Sequence, residues 1–369
     1  MSGLPFDDIV AIDDDVAWRH AWGDVPPGYL DAATMGLPTL ATREAMRAAM
    51  NEWAAGEASA VAYGEVVERA RTAYARIVRV SPSEVAIGAT TSELVALVAA
   101  SLPDGAEVIC VDGDFSSIVF PFLAQAHRGV SVRHVPLEAL AESIGDGTAL
   151  VAFSLVQSAD GRVADIPAIL EAARRRATLT LCDTTQAAGV RPVDASVYDY
   201  TVCHSYKWLC APRGAAFLTA SAAVSHALVP HAAGWYAGED VWGSTYGPSM
   251  ALASSARRFD TSPAWLSWVG AAVALEHFAT VDVAAAWRRA TGTADALLDA
   301  LGLPARGQAI VALDDPSGER GAALEAVGIR FSRRAGRLRL GFHVWASTDD
   351  VARVVRALDA VACRVPVSA

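Results

Sequence analysis

The sequence predicts an α/β fold: a mostly parallel seven-stranded sheet with helices on both faces, plus a smaller C-terminal α+β domain. Three observations lead there. The middle of the chain alternates short β-rich runs with helical patterns. A length of 369 residues exceeds one simple core and suits two intimately packed domains. From Gln308 onward a second, shorter alternation of strand and helix begins.

Taken in order, Gly36-Leu37-Pro38 opens a long helix over Thr39–Ala54, with Pro38 near its start. The candidate strands are Val85–Gly88, Glu107–Val111, Ser131–Val135, Ala149–Leu155, Leu179–Asp183, Tyr200–His204 and Ala215–Thr219. Helical patterns cover Glu65–Val78, Ser92–Ala99, Ser117–Ala126 and Ile166–Arg176. After about Ala220 the rhythm changes. Gly234 to Pro248 reads as a long irregular loop rich in Gly, Trp and Tyr, which in a compact enzyme is usually functional. Helices over Ala264–Phe278 and Val283–Leu301 follow. This divides the chain into an arm over 1–30 that joins the small domain, a large domain over 31–250, and an interdomain helix with the small domain over 251–369.

Bulk properties narrow the function. The net charge is −11, with no basic cluster beyond the helix end Arg174-Arg175-Arg176, so nucleic acid and anionic membranes are poor partners. No run of eighteen uncharged apolar residues reads as a membrane span, and Met1 to Asp15 lacks the basic start of a signal peptide. Cys110, Cys182, Cys203, Cys210 and Cys363 have no zinc-site spacing. They read as reduced, buried thiols of a cytoplasmic protein, and no metal is expected.

One lysine stands out. Most lysines lie on the surface with an apolar stem and a solvated head. Lys207 instead follows directly on the strand Tyr200–His204, at the end of the sheet where open α/β folds place ligands. The strand before it ends in Asp183, whose ordinary role would be a helix cap. Such a carboxylate can also hold a protonated pyridine nitrogen and keep the ring an electron sink. Asp, then about two dozen residues, then Lys, at successive strand ends, is far more specific than either alone.

Asp183-Thr-Thr-Gln186-Ala-Ala-Gly, followed by Ser205-Tyr206-Lys207-Trp208-Leu209 and Pro212-Arg213-Gly214, resembles the class V aminotransferase superfamily of fold-type-I pyridoxal-phosphate enzymes. That superfamily includes cysteine desulfurases, kynureninases, isopenicillin epimerase-like enzymes and C–S lyases, and the resemblance runs from Tyr29 to the last helix. It implies pyridoxal 5'-phosphate as cofactor, with Lys207 as the Schiff-base lysine that later moves the Cα proton. It implies a phosphate cup at Ala89 and Thr90, after Gly88, where a helix begins. Phe115 would stack on the pyridine ring, Asp183 would pair with its nitrogen, and Gln186 would lie beside its phenolic oxygen. Ser205 and Tyr206 would reach the phosphate. The commoner pattern puts His directly before the lysine, whereas His204 is displaced upstream. Ser262, before Pro263, would lend a hydroxyl to a neighbouring subunit's phosphate, implying a homodimer with shared sites.

On the substrate side the resemblance places Arg339 at the α-carboxylate, although Arg337 lies on the same strand face and either could serve. Ser158 would stand next to the phenolic oxygen and carboxylate. Tyr63, with Trp235, Tyr236, Trp242 and Tyr246, would wall a pocket for a bulky substituent or pack a dimer interface.

Between Gly328 and Arg339 there is no cysteine, so the persulfide chemistry of desulfurases is not expected. The expected reaction acts on a small-molecule amino acid, an S-substituted cysteine, by Cα deprotonation and C–S β-elimination, in the style of natural-product S-conjugate processing. Transamination, or decarboxylation-coupled deamination, of a similar amino acid remains open. A degenerate cofactor-binding protein is a third reading, countered by the presence of Lys207, Asp183 and Arg339 together.

Overall fold

The structure, a computed structural model, describes residues 20–362; Cys363, the N-terminal Met1–Asp15 stretch and most of the 1–30 arm lie outside the described residues. Two helices come first, α1 (Leu40–Ala55) and α2 (Ala60–Val78). The Thr39 hydroxyl caps α1 by accepting from Thr42 N–H, and Gly56 ends it in the left-handed region at φ 75. Helix α2 starts five residues earlier than its apolar pattern announces. Ser59 caps it there by accepting from the Ala62 N–H.

The large sheet contains β1 (Val85–Gly88), β2 (Glu107–Val111), β3 (Ser131–Val135), β4 (Thr148–Ser154), β5 (Leu179–Asp183), β6 (Tyr200–His204) and β7 (Ala216–Ala220). Its order is β1-β7-β6-β5-β4-β2-β3, parallel throughout except for β7, which runs antiparallel to both neighbours. Between the strands lie α3 (Thr91–Ser101), α4 (Ser116–Leu123), α5 (Leu140–Ser143) and α6 (Ile166–Arg176). Strand period decides the packing: Val85 and Ile87 enter one core cluster while Ala86 enters the cluster on the opposite face. Helix α7 (Trp265–Phe278) packs against α1 and α2 over the first of these faces.

Helix α8 (Val283–Ala300) leads to the small domain: β8 (Ile310–Asp314), α9 (Glu319–Ala326), β9 (Ser332–Arg334), β10 (Arg337–Gly341) and α10 (Thr348–Ala362). Its sheet is antiparallel in the order β8-β10-β9 and carries its own core, which includes Leu30 from the start of the described chain. Strand β9 stands directly before β10. Ser332-Arg333-Arg334 has no apolar alternation, yet Ala335 (φ 48) and Gly336 (φ 74) make a two-residue turn that pairs it with β10. No helix among the described residues is long and apolar enough to cross a membrane.

Candidate active site

The parallel strands all end at one edge, and Ala89, Thr90, Phe115, Asp183 and Lys207 lie at or just after strand ends there. After β6 the chain makes a tight excursion before returning as β7. Ser205 ties its base, donating from both its N–H (3.2 Å) and hydroxyl (2.7 Å) to the Ala215 carbonyl. Both donors are thereby directed to the turn that precedes β7. Lys207 is 5% exposed, and no group among the described residues hydrogen-bonds its Nζ. Its nearest ring neighbours are Phe115, with Nζ 5.2 Å from the centroid, and Tyr206, at 5.7 Å. Burial pushes the amine down to about 8; Asp183 opposes this, while Arg339 and Arg334 add to it. An amine that sheds its proton this readily can act as nucleophile and base.

Asp183 ends β5 and is buried, with Oδ1 accepting from Thr185 N–H at 2.8 Å. Burial raises its pKa; the Thr185 hydroxyl and amide, and the charge of Lys207, pull it back. Phe115 presents a ring that is 41% exposed, unusual for phenylalanine. Asp114 holds it there. One carboxylate oxygen accepts from Phe115 N–H (2.7 Å) and the Ser154 hydroxyl (2.6 Å), and the other from Ser154 N–H (2.9 Å) and Gln157 (3.1 Å). An open aromatic face, an unbonded buried amine and a buried carboxylate form one donor set. It fits a flat, cationic heteroaromatic ring that carries an aldehyde.

At the end of β1, Thr90 caps α3, accepting from Glu93 N–H at 3.3 Å. The Ala89 amide donates to the Glu93 carboxylate at 2.9 Å. That position therefore already draws an anionic oxygen, as a helix start should. The turn is braced from behind. Asp260 accepts from Ile87 N–H (2.9 Å) and pairs with Arg71 (2.6 Å), both fully buried. Burial pushes Asp260 up to about 6 despite the opposing pull of Arg71. Ser262, two residues on, is exposed. Tyr206 has two cations near its ring, the Arg213 guanidinium 4.6 Å and Lys207 Nζ 5.7 Å from the centroid. His204 Nε2 accepts from Gly214 N–H at 3.3 Å, and burial lowers its pKa to about 4, leaving a neutral ring that shapes the turn.

The structure separates Arg337 from Arg339. Arg337 turns outward onto Asp314 (2.8 Å). Arg339 is 2% exposed; its Nε donates to Ser332 Oγ (3.0 Å), Nη1 to the Ser158 carbonyl (2.6 Å), and Nη2 to Thr34 Oγ1 (2.6 Å). One N–H remains on each terminal nitrogen, the number a carboxylate needs for two parallel bonds. Burial lowers Arg339 to about 10, a further sign of a dry, cation-rich pocket. Ser158 contributes its carbonyl rather than its hydroxyl. Gln186 is engaged as well: its oxygen accepts from Trp208 Nε1 (2.7 Å) and its amide donates to the Ala33 carbonyl (3.0 Å). Tyr63 stacks on Trp265 (centroids 5.3 Å, 19° between planes), in the seam between α2 and α7.

Sequence reasoning did not assign a role to the segment from Tyr29 to Gly36. It bridges to Arg330 and Gly341 in the small domain, supplies Thr34 to Arg339, and bonds Gly36 N–H to the Tyr206 carbonyl (2.9 Å). A Cβ on Gly36 would lie 1.9 Å from the Lys207 carbonyl oxygen. Gly36→Ala must therefore shift the lysine backbone, and we expect a destabilisation of about 2–3 kcal/mol together with weakened cofactor retention. Thermal melting with and without added cofactor measures both. A variant as stable and as well loaded as the parent would show that the close approach does not constrain the lysine. His343 closes the loop from the other side: Val344 N–H donates to Nδ1, so Nε2 donates to the Trp208 carbonyl (3.0 Å).

An open α/β sheet with a buried lysine at its carboxyl edge, a buried aspartate one strand away and an aromatic face above it defines a pyridoxal-phosphate enzyme of fold type I. The chain belongs to the aminotransferase class-V family, whose model matches residues 29–314. It is 34% identical over 223 residues to the uncharacterized aminotransferase YcbU of Bacillus subtilis, covering 57% of this chain and 58% of that one. The chain thus spans little more than half the length of that relative. It is 28% identical over 320 residues to a kynureninase of Deinococcus radiodurans, covering 80% of this chain and 78% of that one. Among solved structures, C-DES carrying glycine linked to its PLP cofactor superposes with TM-score 0.83 at 21% identity, over 92% of this chain and 99% of that one. The cysteine desulfurase CsdA of Escherichia coli gives 0.82 at 20%, over 95% and 98%. These two establish the shared fold. The protein is a PLP-dependent enzyme; bound at this edge, the cofactor supplies an electron sink for the bonds at a substrate's Cα.

Proposed function

We propose that this enzyme cleaves the C–S bond of an S-substituted cysteine by β-elimination. One observation carries the choice. All four cysteines among the described residues are buried and free, and burial raises every one: Cys110 and Cys203 to about 12, Cys182 and Cys210 well above the usual range. The β9–β10 hairpin before Arg339 carries arginines instead of a cysteine. With no thiolate to accept sulfur among the described residues, the groups present support direct elimination. Arg339 holds the α-carboxylate, Lys207 takes the Cα proton, and the sulfur departs with the C–S electron pair and is protonated to a thiol. Hydrolysis of the remaining three-carbon unit gives pyruvate and ammonium.

Mass spectrometry of products from a panel of S-substituted cysteines tests this. Thiol, pyruvate and ammonium in equal amounts are the expected result. Carbon dioxide, or conversion of the cofactor to its pyridoxamine form, would replace elimination with decarboxylation-coupled deamination or transamination.

The same reading includes a role in natural-product S-conjugate processing, a homodimer with shared sites, and residence in the cytoplasm. Buried unpaired thiols support a reducing compartment. An apolar groove of about 1730 Å³, lined by Val61, Gly64, Tyr236 and Trp242 among others, supports a second copy as its cover. A monomeric mass by light scattering would remove the dimer from the reading.

A further inference from the structure

Arg334 faces Arg337 across the β9–β10 pair and Arg339 faces Ser332, so three arginines share one face of the small sheet. Like charges at this spacing repel and call for counter-charges. Arg337 has Asp314 at 2.8 Å, and Arg339 has Asp31 at 4.0 Å. Arg334 has no carboxylate within ion-pair distance among the described residues. Its Nη1 donates to the Arg333 carbonyl at 2.8 Å and its Nη2 to Thr34 Oγ1 at 3.4 Å. That same hydroxyl accepts from Arg339 Nη2 at 2.6 Å. Two guanidinium groups therefore converge on one oxygen.

Their depths differ. Arg339 is buried and Arg334 exposed, so the first reaches the interior of the site and the second its mouth. An α-carboxylate on Arg339 would add to the charge that Asp31 already supplies there, and would leave Arg334 still without a carboxylate at ion-pair distance among the described residues. The positive charge of Arg334 is felt at depth, since it helps to lower both Lys207 and Arg339.

The geometry points to Arg334 as a specificity residue: joined to Arg339 through Thr34, it forms a second anion subsite that takes a carboxylate at the end of the S-substituent. The substrate is then an S-substituted cysteine with two carboxylates, one at each arginine. This deepens the lyase reading in naming the substrate, but the subsite itself can be tested without turnover.

The test titrates the holoenzyme with S-carboxymethylcysteine and its uncharged counterpart S-carbamoylmethylcysteine, following the visible spectrum of the bound cofactor. The parent is expected to bind the acid about ten-fold tighter than the amide, the effect of one partly exposed charge-assisted contact. Arg334→Gln should collapse that ratio to within about two-fold, and Arg334→Lys should keep most of it. A parent with no preference, or a ratio that survives in Arg334→Gln, overturns the subsite. Equal weakening of both ligands leaves the ratio intact and overturns it too, because Arg334 would then act on the α-carboxylate. Pyruvate is assayed in the same preparations. Its absence with both ligands counts against the lyase reading alone, since the binding ratio does not depend on turnover.

Discussion

Lys207→Ala is expected to lose turnover by on the order of 10⁴-fold and to lose the visible absorbance of lysine-bound cofactor. The reason lies in its surroundings: Nζ is buried, meets no hydrogen-bond acceptor among the described residues, and lies 5.2 Å from the centroid of the Phe115 ring. No other lysine competes for the role, because Lys207 is the only lysine in the sequence. Lys207→Ala that kept the absorbance band would put the covalent attachment elsewhere. The lowered amine adds a pH signature. Cofactor bonding needs the neutral amine, and the folded-state value is about 8 instead of the ordinary 10.5. The rate of cofactor uptake by the cofactor-free enzyme should rise with pH and level off above about 8. A rise continuing toward pH 10 would contradict the buried, cation-flanked setting.

Arg339→Ala should lower kcat/KM by roughly 100-fold, mostly through KM, as expected for losing a bidentate charge-assisted contact of about 3 kcal/mol. The side chain also carries structural bonds, to Ser158, Ser332 and Thr34. Arg339→Lys separates the two roles. It keeps the charge but not the planar fork, so KM should stay high even where the melting temperature recovers. A folded Arg339→Ala enzyme with unchanged KM would remove the arginine from the carboxylate. Arg337→Ala, which loses an outward pair with Asp314 and a bond to the Ala312 carbonyl, is the matched comparison.

The large sheet was legible because its strands are apolar runs bounded by turn residues. Val85–Gly88, Glu107–Val111, Ser131–Val135, Leu179–Asp183 and Tyr200–His204 stand as read. Lys207 and Asp183 were legible for the same reason: their positions follow from where two strands end. The small sheet was less so. Strand β9 is made of Ser332-Arg333-Arg334, and only its turn and its partner make it a strand. Sequence could not tell Arg337 from Arg339, since a period of two puts both on one face; the pair that Arg337 makes with Asp314, on another strand, is what sets them apart. The partners of Arg339 were equally invisible. Thr34 precedes it by 305 positions, and no local pattern records a contact at that separation. Gly36 read as punctuation before a helix, whereas its lack of a side chain serves the lysine carbonyl.

The segment from Tyr29 to Gly36, two isolated bridges followed by a turn, ties the small sheet to the lysine loop. It pairs with Arg330 and Gly341, grips Arg339 through Thr34, and bonds the Tyr206 carbonyl, while His343 reaches across to the Trp208 carbonyl. The lysine loop is thus latched by residues from both ends of the described chain. The setting that holds Lys207 therefore depends on contacts far apart in sequence, and a change in the small sheet can reach the lysine without touching it.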